Sequence, residues 1–200
     1  KNVDILVNLF EDYLVGIDVS HHNGEIDWEE VKNSGIDYAI IRVGYGQDIV
    51  SQDDRYFARN IAECERLGIP YGVYLYSYAV DTYSAISEAE HMLRLIKGHN
   101  PEFGVWIDLE EEVPGVDFVG IATTFCEKMK GYGYSNVGVY ANLEWWQTTL
   151  NNDVLDKYNK WIAQWGSSCD YDKKYVMWQY TDSGTVNGID TNVDMNIYYK

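Results

Sequence analysis

Apolar and polar positions along this chain follow two rhythms. Eight short runs rich in β-branched or aromatic residues fall near 14–20, 37–43, 71–78, 104–110, 136–141, 160–165, 175–180 and 189–195, and each predicts a strand. Between the early runs the apolar positions recur at helical spacing. Tyr56, Phe57, Ile61, Cys64 and Leu67 form one amphipathic stretch that opens after Asp53 or Asp54 and closes at Gly68 and Pro70. Ala85, Ala89, Met92 and Ile96 form a second, from about 81 to 97, and Val119, Phe125 and Met129 a third, from about 116 to 130. Asp27 with Glu30 reads as a capping box at the start of the segment that carries Trp28.

Strands that alternate with crossover helices imply βαβ units and a parallel sheet. From residue 160 onward the strand starts lie about 15 residues apart, too close for a strand plus a parallel crossover of at least ~10–12 residues, so these strands are expected to return as hairpins. Trp165-Gly166-Ser167-Ser168 and Asp182-Ser183-Gly184 supply turn chemistry there. The pattern predicts an α/β fold, an irregular TIM-like barrel of eight strands whose last part lacks its helical layer. An open doubly wound sheet is the alternative. Two hundred residues suit one domain. We place it at 14–200, with 1–13 as an N-terminal extension of no assigned role, whose Ile5, Leu6, Leu9 and Phe10 fit a short helix or a linker remnant.

Charge narrows the field. Fifteen Lys and Arg against 32 Asp and Glu give a formal charge of −17, which a nucleic-acid backbone or an anionic bilayer would repel, so neither is expected as a partner. No apolar run reaches the roughly 20 residues of a spanning helix. Aromatic residues make up 15% of the chain, and 18 Tyr outnumber 5 Phe, so many amphipathic rings are expected to meet water, as suits hydroxylated ligands such as sugars. Cys64, Cys126 and Cys169 share no short spacing and are expected as buried free thiols. The chain starts at Lys1 with no apolar signal core, so a processed or excised product is expected.

Candidate chemistry concentrates in Val105-Trp106-Ile107-Asp108-Leu109-Glu110. Alternation puts Trp106, Asp108 and Glu110 on one face of a strand, with the two carboxylates about 6–7 Å apart along it. Burying such a pair without partners would cost several kcal/mol, which argues for a barrel mouth, where strand ends line active sites. Asp18 ends the first apolar strand and Asp194 lies at the last, so closure of the sheet would bring four acids to one rim. Their repulsion would keep one carboxyl protonated near neutral pH, as acid-assisted glycoside cleavage requires. Taken singly, Asp18 suits a turn cap, Asp194 a hairpin end, and Asp108 a partner for Arg42. Glu111 and Glu112 read as a solvated edge, and His21, His22, His91 and His99 show no ligand spacing. Four carboxylates holding Mg²⁺ or Ca²⁺ form the competing reading, which the metal dependence of turnover separates.

Gly16-Ile17-Asp18-Val19-Ser20, Trp28, Tyr71-Gly72-Val73-Tyr74-Leu75-Tyr76, Asp108-Leu109-Glu110, Val139-Tyr140-Ala141-Asn142, Trp161-Ile162-Ala163-Gln164 and Trp178-Gln179-Tyr180 through Val193-Asp194-Met195-Asn196 follow one another in an order that resembles the lysozymes of glycoside hydrolase family 25. The resemblance covers about residues 16–197. It implies a barrel of five β/α units followed by three β strands, and a muramidase that cuts the β-1,4 bond between N-acetylmuramic acid and N-acetylglucosamine in peptidoglycan. It assigns Glu110 as proton donor and Asp108 as its partner, with Asp18 and Asp194 completing the acidic floor, and it makes Tyr76, Tyr140, Tyr74 and Trp178 the expected sugar contacts. Leu75 departs from the His that many relatives carry there, and alternation turns it away from the interior. The resemblance further implies no metal or cofactor and a monomer that is secreted or acts at the bacterial cell wall, with wall-binding modules outside these residues. A groove that binds carbohydrate without turnover, and a chitinase or endo-N-acetylglucosaminidase, are the competing functions.

Overall fold

The computed structural model describes residues 13–200, and the expected extension lies outside them except for Tyr13, which opens the first strand. Eight strands close a barrel in sequence order: β1 (Tyr13–Val19), β2 (Tyr38–Tyr45), β3 (Tyr71–Tyr76), β4 (Val105–Asp108), β5 (Val137–Asn142), β6 (Asn159–Ala163), β7 (Met177–Gly184) and β8 (Val193–Tyr199). Helices α1 (Trp28–Asn33), α2 (Phe57–Leu67), α3 (Thr82–Ile96) and α4 (Phe118–Gly131) follow the first four strands, and a single short helix, α5 (Leu143–Gln147), follows the fifth. The mixed α/β barrel with a thinned final third is therefore the architecture observed. Among the described residues no helix is long and apolar enough to cross a membrane.

Helix ends form where local chemistry favours them. Asp27 accepts from the backbone N–H of Glu29 and Glu30 to start α1, and Asp81 with Ser84 makes a reciprocal capping box on α3. Gly68, at φ 66°, closes α2 in the left-handed region. α2 opens just after Asp54, whose Oδ1 accepts from the Tyr56 N–H at 3.0 Å and whose carbonyl accepts from the Phe57 N–H, while its other carboxylate oxygen is drawn to Arg42 and His21.

The last strands correct one expectation. β6 and β7 pair in parallel; among these strands β7 and β8 return antiparallel, and β8 closes the barrel antiparallel to β1. The connection over 164–176 is long enough for a parallel return even without a helix, so strand spacing alone excluded too much. β8 also begins four residues later than expected, at Val193, because 189–192 belong to the turn before it. Closure through β8 pairs Tyr13 with Tyr199 at one end of the barrel and Asp18 with Asp194 at the other.

Two apolar layers hold the sheet. Outside, Ile17, Val73, Leu75, Ile107 and Val139 pack against the helices, so Leu75 faces away from the barrel interior as alternation requires. Inside, Tyr38, Ile40, Trp106, Trp161 and Met177 fill the lower half. Space for these rings comes from neighbouring glycines: a Cβ on Gly138 would lie 2.3 Å from the Trp106 ring, and one on Gly16 2.4 Å from Tyr38. Cys64 and Cys126 are buried free thiols, while Cys169 is only half-buried.

Candidate active site

Above the aromatic plug the interior turns acidic. A cavity of about 450 Å³ opens at the carboxyl ends of the parallel strands, and Asp18, Asp108, Glu110 and Asp194 all line it. Tyr76, Asp108 and Tyr140 stand in register across β3, β4 and β5, which places a ring on each side of the acid. β4 ends at Asp108, so Glu110 sits two residues beyond it, on a segment tied to the next strand by Leu109 N–H donating to the Tyr140 carbonyl.

The four acids form two pairs. Asp18 faces Asp194 across the β1–β8 ladder. One oxygen of Asp18 accepts from Asn196 Nδ2 at 2.8 Å and from Gln179 Nε2 at 2.9 Å, donors that suit an ionised carboxylate. Burial raises the proton affinity of Asp18, those donors lower it in part, and Asp194, hydrogen-bonded to Asp18, is pushed up to about 8 by its own burial and by the charge beside it. One proton held on Asp194 satisfies the pair. Asp108 and Glu110 make the second pair, in side-chain hydrogen-bond contact. Asp108 is 4% exposed, and one of its oxygens is buried without a partner. Burial first, then the nearby Glu110 charge, drives Asp108 well above the usual carboxylate range; burial also raises Glu110, and the hydrogen bond from Asp108 lowers it in part, so the pair shares a proton across that contact. Among the described residues no group of three or more His, Cys, Asp or Glu side chains has the geometry to hold a metal ion.

Three of the four expected sugar contacts reach the cavity. Tyr74, Tyr76 and Tyr140 line it; Tyr76 donates its hydroxyl to Glu111 at 2.7 Å and Tyr140 to Gln179 at 3.0 Å. Trp178 does not. It pairs with Ile162, which belongs to the outer core, and its indole N–H donates to the Gln164 carbonyl. Alternation along β7 gives the inner face to Met177 and Gln179, so Gln179 occupies the place that the sequence reading gave to Trp178. Arg42 was missed as a cavity residue: Asp54 holds its Nε at 2.9 Å, and Asp108 is not its partner. A lone arginine within Ile40-Ile41-Arg42-Val43 was the available signal, because a charge in an apolar strand needs a buried counterpart.

Carboxylates gathered where parallel strands end place the chain in the class of α/β-barrel proteins whose chemistry sits at that rim. The particular family follows from comparison: residues 17–189 match the model of the glycosyl hydrolases family 25, and the chain belongs to that family. Lysozyme M1 of Streptomyces globisporus is 29% identical over 198 residues, covering 90% of this chain and 66% of that protein. The autolytic lysozyme of Clostridium acetobutylicum is 30% identical over 184 residues, covering 90% of this chain and 54% of the relative. The modular autolysin LytC from Streptococcus pneumoniae, solved in complex with a synthetic peptidoglycan ligand, superposes with a TM-score of 0.84 at 33% identity over 94% of this chain and 47% of its own. The chain thus spans between about half and two thirds of the length of these relatives.

Proposed function

We propose that this chain is a peptidoglycan muramidase that hydrolyses the β-1,4 bond between N-acetylmuramic acid and N-acetylglucosamine. The observation that carries the reading is the Asp108–Glu110 pair, a buried carboxyl and an exposed one in hydrogen-bond contact within one aromatic-walled cleft. Family membership and the lysozymes among its relatives support the same conclusion.

Glu110 is the proton donor in this scheme. It stands beyond the strand end, nearer the opening than Asp108, where it can reach a glycosidic oxygen. Asp108, more deeply buried, accepts the acetamido N–H of the bound sugar. That hydrogen bond favours the ionised form of Asp108 and shifts the shared proton to Glu110, which is the arrangement cleavage needs. As the C–O bond breaks, Glu110 gives its proton to the departing sugar, and the negative charge of Asp108 with that of Asp18 stabilises the developing oxocarbenium ion. Water then adds to the anomeric carbon and gives up one proton to the Asp108–Glu110 pair, which restores its one-proton state. Tyr76 and Tyr140 stack against or hydrogen-bond the ring between them.

Digestion of purified peptidoglycan tests this directly. Muropeptides ending in reducing muramic acid are the expected product, whereas fragments ending in reducing glucosamine would replace the muramidase by a glucosaminidase, and binding without cleavage would reduce the chain to a carbohydrate-binding relative.

A further inference from the structure

Beside the acid cleft lies a second cavity, of about 340 Å³, that shares His22, Arg42 and Tyr76 with it and adds His21, Tyr45 and Tyr78. Its chemistry is opposite in sign. Arg42 is the sole Lys or Arg lining either cavity among the described residues, in a protein of net charge −17. Asp54 takes its Nε and the His21 ring meets its Nη2, while among the described residues nothing hydrogen-bonds Nη1. The side chain is 9% exposed and lines both cavities. His22 sits lower in proton affinity than an ordinary histidine because of burial and of the adjacent His21 and Arg42, so it is neutral at pH 7 and offers a hydrogen-bonding nitrogen rather than a second charge.

The strand is deformed to build this wall. Arg42 pairs with Tyr74, but Gly44 pairs with Leu75 and Tyr45 with Tyr76, so Val43 is an extra residue in β2. In a regular strand residues 42 and 45 would point to opposite faces; the bulge turns Tyr45 to the same side as Arg42. Gly44 is required at the bend, since a Cβ there would lie 2.5 Å from the Gln52 carbonyl oxygen. Tyr78, 53% exposed, packs edge-on to Tyr45 at 5.9 Å and against Tyr76 at 5.3 Å, which continues the aromatic wall of the main cleft outward.

We infer that this second cavity is a specificity subsite that receives a carboxylate on the lactyl side arm of the muramoyl sugar, with the Arg42 guanidinium as its anchor and Tyr45 and Tyr78 as its walls. The inference rests on the muramidase reading and deepens it. Neutral chitin-like chains offer a buried arginine only uncharged acceptors, whereas the side arm carries an anion either as the bare lactyl carboxylate or on the peptide attached to it. A charge-assisted hydrogen bond in a partly dry pocket is the interaction that separates these ligands.

The test uses the unmodified chain. Peptide-bearing glycan strands and peptide-free strands are each compared with the same strands after their carboxyls have been converted to carboxamides. General repulsion by the acidic protein predicts that neutralising the substrate lowers KM; the Arg42 subsite predicts the reverse, a rise of about tenfold with kcat little changed. The parent strand that loses affinity identifies the source, lactyl or peptide. Arg42→Gln should abolish the difference and Arg42→Lys should retain part of it. A KM that is unchanged or falls on amidation of both strands overturns the subsite while reducing muramic acid in every digest leaves the muramidase standing; no reducing muramic acid from any strand removes both.

Discussion

Asp108 and Glu110 lie two positions apart, yet they differ in depth: one ends a strand inside the barrel and the other stands on the loop above it. In the mechanism we propose, that difference lets two carboxyls in contact divide the roles of acid and partner. Glu110→Gln keeps the shape and removes the transferable proton, so kcat for muropeptide release should fall by about 10²–10⁴-fold while the thermal midpoint holds. Asp194 gives a second prediction at this scale. Its proton affinity rises on folding from the ordinary 3.8 to about 8. Below the lower value both folded and unfolded chains carry the proton; as pH rises towards the upper one only the unfolded chain releases it, and folding stability is lost across that window. Asp194→Asn should therefore flatten the decline in urea-unfolding stability between pH 4 and pH 8 relative to the parent.

At the scale of elements, the barrel depends on glycines that leave room for rings. A methyl at position 138 would meet the Trp106 ring and, at 2.6 Å, the Asn159 carbonyl oxygen, neither of which can swing aside. Gly138→Ala should cost about 1–3 kcal/mol in denaturant unfolding, an overpacking penalty. Much of this arrangement was legible in the sequence. The four acids were found because strand alternation and closure of first strand on last are local patterns with a geometric consequence, and Asp18 opposite Asp194 is that consequence. What stayed hidden depends on partners in space. Alternation alone does not say which face of β7 turns inward, so Trp178 was chosen and its neighbour Gln179 passed over. The bulge at Val43 resets the alternation of β2 through its pairing with β3, and nothing in the run Ile41-Arg42-Val43-Gly44 announces it beyond the glycine. The parallel return from β6 to β7 was missed because the expected strands, 160–165 and 175–180, left too short a connection, whereas β6 ends at Ala163 and β7 starts at Met177.

For the whole molecule, −17 is the dominant fact, since Gram-positive walls are themselves anionic. Approach to such a wall is opposed at long range even though its glycan is the substrate we propose for the cleft. Raising ionic strength from about 0.01 M to 0.15 M shortens the screening length from about 30 Å to 8 Å, so kcat/KM on intact walls should increase over that range, read by turbidity loss. Isolated glycan strands freed of other wall polymers should show a smaller response.

Pairing of Tyr13 with Tyr199 sets both ends of the described chain on the underside of the cylinder, one barrel length from Asp18 and Asp194. Cargo, tags or anchoring modules joined at either end are carried behind the working face, like a handle on a cup. An enzyme immobilised through that handle would keep its mouth turned towards the polymer it meets.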